Sequence, residues 1–157
     1  MTVHNVSRHR NGTISVFAAD LDGDGDIDLV SASDNTNTIA WHENIDGQGT
    51  FGSHHNVSTD VIDVSCIVAA DLDGDGFVDY LASRGHGKGV LWFKAEANSI
   101  KGGKFSPDFR PIEIDPSIER PHSLALADID KDGDLDAATC GSLVNGEAVW
   151  YENDGKG

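Results

Sequence analysis

An all-β fold assembled from a repeated four-stranded unit is what this sequence predicts, and three observations carry the expectation. A nine-residue, aspartate-rich window occurs three times, starting at Asp20, Asp71 and Asp128. Apolar runs bracket every window, VFAAD, IVAAD and LALAD before it and LVSAS, YLASR and AATCG after it. A tryptophan then follows at a nearly fixed distance, Trp41, Trp92 and Trp150, which lie 21, 21 and 22 residues beyond the first Asp.

Each unit reads in the same order. A strand ending in small residues leads into the acidic window, and the apolar run after the window is the second strand. The aromatic run around the Trp is the third. A glycine turn follows, NIDGQGTFG in the first copy and SIKGGKFS in the second, and HHNVS opens a fourth strand after the first of these. The tetrapeptide HNVS occurs at both 4–7 and 55–58. Period-2 or continuous apolar character with Gly, Asn or Asp at the turns is the strand signature, and no stretch shows helix caps with a 3.6-residue period. The windows start 51 and 57 residues apart, so insertions fall outside the constant interval from Asp to Trp.

Repeats of this length with four strands each describe β-propeller blades, because one four-stranded sheet cannot bury both faces alone and stacked blades can. A WD-type propeller fits poorly, since no Gly-His and Trp-Asp pair recurs. The expected repeats are residues 8–58, 59–114 and 115–157, all in one segment, with an N-terminal strand at 1–7 that completes a blade of a neighbouring chain.

Composition restricts the partners. The 157 residues carry 27 acidic against 11 basic side chains, a net charge of −16, which argues against a nucleic-acid backbone. No apolar run reaches the ~20 residues of a membrane-spanning helix, so no membrane insertion is expected. Fourteen of the 27 acidic residues sit in the three windows, which makes this clustering and not a generally acidic surface. Cys66 and Cys140 occupy different repeat positions and read as free, buried, small apolar groups. The opening residues MTVHNVSRHRNG lack the apolar core of a secretory signal, while sequons at Asn5, Asn11 and Asn56 are compatible with secretion.

The windows themselves read as calcium loops. Counted from the first Asp, positions 1, 3, 5 and 9 are Asp20, Asp22, Asp24 and Asp28, then Asp71, Asp73, Asp75 and Asp79, then Asp128, Asp130, Asp132 and Asp136. Position 7 varies among Asp26, Phe77 and Asp134, as expected where the backbone carbonyl is the ligand. Calcium takes six to eight oxygens, and alternate carboxylates in a tight loop wrap such a sphere, whereas magnesium prefers few carboxylates and keeps its waters. Transition metals would call for His or Cys. Gly25, Gly76 and Gly133 at position 6 permit the positive φ of a sharp reversal. The EF-hand alternative fails because position 12 is Ser31, Ala82 or Thr139 instead of Glu, and the flanks read as strands. Dockerin-type loops lie closer together than these.

On the DxDxDGxxD pattern in all three copies, with Phe51-Gly52 once and a weaker Phe105-Ser106, the chain resembles the FG-GAP/VCBS repeats of integrin α-subunit propellers and related proteins. The resemblance implies one Ca2+ per blade, about three per chain, held between the first and second strands on one rim. It implies a binding or adhesion scaffold.

Three blades cannot close a ring of the usual four to eight. Because the chain begins and ends in one register of the repeat, head-to-tail association of identical subunits is expected: a homodimer with six blades, or second a trimer with nine. Other functional readings are a lectin-type propeller, with the three Trp stacking on sugar beside His42 and Glu43, an isolated or engineered repeat block without an evolved ligand, and a polysaccharide lyase using Tyr80, Arg84, His86 and Lys88. Core packing is the better account of the Trp, and no catalytic constellation recurs, so no enzyme is expected. A glycan or protein ligand and an extracellular location, where calcium is near millimolar, complete the expectations.

Overall fold

The computed structural model describes residues 2–7, 12–95, 100–101, 104–105, 109, 111–142 and 146–156. These residues form strands, turns and loops and no helix. Blade 1 is an antiparallel sheet in the order β1 (Thr13–Ala19), β2 (Asp28–Ser33), β3 (Thr38–His42), β4 (His55–Ser58). Blade 2 is β5 (Val64–Ala70), β6 (Asp79–Arg84), β7 (Lys88–Phe93) and β10 (Pro111–Glu119), with the hairpin of β8 (Ile100–Lys101) and β9 (Lys104–Phe105) inserted before β10. Blade 3 consists of β11 (Pro121–Ala127), β12 (Asp136–Gly141) and β13 (Ala148–Tyr151). The sheets are open and do not close a ring.

The inserted hairpin explains why the second repeat is longer than the first. Its Phe105 lies in β9, and Ser106, like the Asn11 sequon, falls outside the described residues. The expected boundary between residues 114 and 115 falls inside β10, and the chain turns instead at Arg120 (φ 50°). That residue shares its repeat position with Gly12 (φ 80°) and Asp63 (φ 61°), each directly before an innermost strand. Three different residue types hide a common left-handed turn, so composition could not announce it. Each innermost strand then begins with a register shift, between Thr13 and Ser15, Val64 and Cys66, and Pro121 and Leu124.

Register is otherwise identical in the three units. The acidic loops are closed by the pairs Ala19 with Asp28, Ala70 with Asp79 and Ala127 with Asp136. The tryptophans pair with the same position of the second strand, Val30 with Trp41, Leu81 with Trp92 and Ala138 with Trp150. Since strand side chains alternate faces, a shared register sends all three tryptophans to the same side of their blades.

Two cores follow from that geometry. β1 packs on β5 and β5 on β11. Between blades 1 and 2, Val30, Ile39 and Trp41 meet Ile67, Tyr80 and Phe93. Between blades 2 and 3, Val68, Leu81 and Val90, with Trp92 against them, meet Leu124 and Ala137. Each fully buried aliphatic side chain contributes roughly 1.5–3 kcal/mol, so these interfaces are the main cohesive term. Trp150 has no further described blade to face and is 44% exposed, and blade 1 leaves Ile14 and Val16 exposed on its opposite face.

The same geometry corrects the expectation for the cysteines. Both are free, but Cys66 is only half-buried and Cys140 is exposed. Cys140 holds the repeat position of Ala32, which is buried against blade 2. In blade 3 that face has no described blade to cover it. Residues 2–7 pair with no described strand, and residues 4–7 lie beside Val16, Ser31 and His42 of blade 1.

Candidate functional site

Each acidic loop is a hairpin connection held by its own carboxylates. In the first, Asp20 accepts from the backbone N–H of Gly23 and Gly25, Asp22 from that of Asp24, and Asp24 from that of Asp26. The second and third loops repeat the last two contacts, from Asp75 and Phe77 onto Asp73 and Asp75, and from Asp132 and Asp134 onto Asp130 and Asp132. Such Asx contacts bend the backbone at every second residue. Gly25, Gly76 and Gly133 have φ of 95°, 89° and 104°, as the reversal at position 6 requires. Position 4 is also left-handed, at Gly23, Gly74 and Lys131.

This folding brings ligand oxygens together. Carboxylates of Asp20, Asp22 and Asp24, of Asp71, Asp73 and Asp75, and of Asp128, Asp130 and Asp136 each converge so that one oxygen per residue lies within 4.8 Å of the others. Asp132 falls outside the third trio, and Asp28 and Asp79 fall outside the first two. An all-carboxylate donor set suits a hard divalent cation. The carboxylates crowd one another: burial, and then the neighbouring Asp24 and Asp28 carboxylates, push Asp22 up to about 6. In the second loop Asp71 Oδ1 is buried and has no hydrogen-bond partner. An orphaned anionic oxygen facing other carboxylates is what a bound cation would satisfy.

Position 9 has a second role that spacing alone did not reveal. Asp28, Asp79 and Asp136 are fully buried. Asp28 accepts from Leu21 N (3.3 Å), Trp41 Nε1 (3.0 Å) and Asn44 N (2.8 Å). Asp79 accepts from Leu72 N (3.2 Å) and Ala95 N (2.6 Å), and Asp136 from Ile129 N (2.8 Å) and Asn153 N (2.9 Å). One carboxylate therefore ties the loop to the end of the third strand. Burial pushes Asp79 up to about 6, whereas the Asn153 and Ile129 N–H groups hold Asp136 low.

The segment after each Trp completes the loops, and the sequence signal that could have announced it is W-x-E-N. Asn44 Nδ2 donates to Ile27 O (3.1 Å) and Asn153 Nδ2 to Leu135 O (3.0 Å). Asn153 Nδ2 also reaches Leu72 O across the blade interface. At position 7 the side chains are not idle: a Cβ on Gly47 or Gly155 would collide with the carboxylates of Asp26 and Asp134. The second repeat departs from the pattern, reading W-F-K-A, and Lys94 forms an ion pair with Asp73.

Each member of the candidate enzyme group has a partner of its own in the fold. Arg84 pairs with Glu113 and Lys88 with Glu119, both on β10, while Tyr80 is buried edge-on against Phe109 and His86 faces His122. The tryptophans also separate, with Trp41 buried and Trp150 exposed.

Comparison with known families agrees with the loop geometry. Residues 20–82, from the first loop into β6, match the family model of the FG-GAP-like repeat. The match spans two of the three acidic loops. The third acidic loop, at 128–136, lies outside the match but shares the register and hydrogen bonds of the other two. No curated protein matches the chain.

Proposed function

We propose that this chain is a calcium-binding β-propeller repeat module acting as a binding or adhesion scaffold, with one Ca2+ at each loop. The observation that carries the reading is the convergence of three carboxylates at one repeat position, three times over. Oxygen-only ligands favour calcium over transition metals, and the number of carboxylates favours it over magnesium. The ion's task is architectural: it neutralises crowded aspartates and holds a hairpin whose strands line the blade interfaces, so binding is linked to folding. At a hundredfold excess over Kd each site adds about 2.7 kcal/mol to stability. Thermal melting in millimolar calcium and in excess chelator tests this. A melting temperature that does not move between the two sinks it.

The partner assigned under this reading is a second copy of the chain. β13 is the edge of a three-stranded sheet, and HNVS at 4–7 repeats the sequence that pairs as β4 on β3 of blade 1. Blades 1 and 3 expose Ile14, Val16 and Trp150, which suit a heterologous head-to-tail contact. A six-bladed homodimer is the first choice and a nine-bladed trimer the second. Light scattering decides: a monodisperse species at 16.7 kDa rules out both. An extracellular setting, with a glycan or protein as ligand, fits weak calcium sites that millimolar ion would fill.

A further inference from the structure

The three loops are not electrostatically equivalent. Two residues after the Trp, repeats 1 and 3 carry Glu43 and Glu152, and repeat 2 carries Lys94. The difference lies at the loop itself. Glu43 is among the charges that raise Asp22. Lys94 Nζ pairs with Asp73 Oδ2, and Asp73 is the position-3 member of the converging trio Asp71, Asp73 and Asp75. The Asp73 side chain is only 3% exposed, so its oxygens meet this ammonium and the Asp75 N–H and little water. The amine also stands 5.7 Å from the centroid of the Trp92 ring, a second contact that favours a cation there. Position 7 sharpens the contrast, being Asp26 and Asp134 in the outer loops and Phe77 here.

We propose that Lys94 is a built-in competitor for the second loop, so that this loop holds its divalent ion more weakly than the first and third. The inference rests on the calcium reading of the loops. A divalent ion entering at Asp71, Asp73 and Asp75 must displace the ammonium from Asp73, or bind beside a positive charge a few ångströms away. In repeats 1 and 3 the same position, just past the third strand, is a glutamate, and in loop 1 its charge reaches Asp22. At such distances a charge reversal changes affinity by tenfold or more. The buried, partnerless Asp71 Oδ1 shows that the ammonium satisfies only part of the loop, so the site is weakened and not abolished.

Calorimetric titration of chelator-stripped protein with calcium chloride tests the proposal. The expected result is two tighter binding events and a third at least about tenfold weaker. Asp75→Ala should remove the weak event alone, and Asp24→Ala one of the tight ones. Lys94→Met removes the competitor without adding a ligand and should tighten the weak event several-fold. Lys94→Glu should bring all three within about threefold. Because Lys94 is partly exposed, both variants should retain the wild-type circular dichroism spectrum. Three equal sites in the wild type, or a binding pattern unchanged by both Lys94 substitutions, overturns the competitor role while leaving calcium binding intact. Absence of any binding heat overturns the calcium reading and this inference with it.

Discussion

The dual role of position 9 yields the sharpest prediction, because it separates a residue that organises the blade from one that only faces the ion. In Asp28→Ala three buried or partly buried donors, Leu21 N, Trp41 Nε1 and Asn44 N, lose their acceptor. Hydrogen bonds to a charged group contribute about 1.5–3 kcal/mol each, and an orphaned buried donor costs a comparable amount. Allowing for non-additivity within one network, the loss is about 4 kcal/mol, a large part of a typical domain's stability. For a chain of this size that is a fall in melting temperature of roughly 8–16 °C. The contrast is Asp24→Ala, an exposed carboxylate whose acceptor role toward Asp26 N passes to water. It should leave the chelated protein within about 1 kcal/mol of wild type and reduce only the calcium-dependent increment. Urea denaturation of both variants, each with calcium and with chelator, is the assay. If Asp28→Ala matched wild type in chelator, position 9 would be a ligand only and the hub argument would fail.

Further predictions concern pH, glycine and packing. Asp22 and Asp79 titrate near 6 in the cation-free fold, above the ordinary 3.8, so the stability linked to their protonated forms is present below 3.8 and lost as pH rises through 6. In chelator the melting temperature should fall from pH 5 to pH 7, while calcium affinity of the first loop should rise about tenfold as the competing proton on Asp22 leaves. An affinity flat over that window contradicts the reading. Gly25→Ala, at φ 95°, should weaken both fold and calcium binding, by about 1–3 kcal/mol in stability, read from the same melts. Trp41→Ala should cost about 3–5 kcal/mol and Trp150→Ala under about 1 kcal/mol in the monomer, so equal losses would show that their packing is alike.

By itself the sequence determined the repeat, the all-β class and the loops, because these are local patterns. Alternating Asp with Gly at position 6 specifies its own bend whatever surrounds it, and a constant interval from Asp to Trp transmits one register to three hairpins. Reading Asp28, Asp79 and Asp136 as ligands alone missed their use as acceptors. Their donors at Asn44, Ala95 and Asn153 lie 16 or 17 residues downstream and meet them only once the third strand is laid beside the second. The exposure of Cys140 and Trp150 could not be read from their apolar character, since it depends on whether another blade covers that face. The pairing of Lys94 with Asp73 likewise needed the folded sheet, which carries residue 94 back to a loop 21 residues earlier in the chain. Local geometry is written in spacing, but burial and charge partners belong to whichever strands end up facing one another.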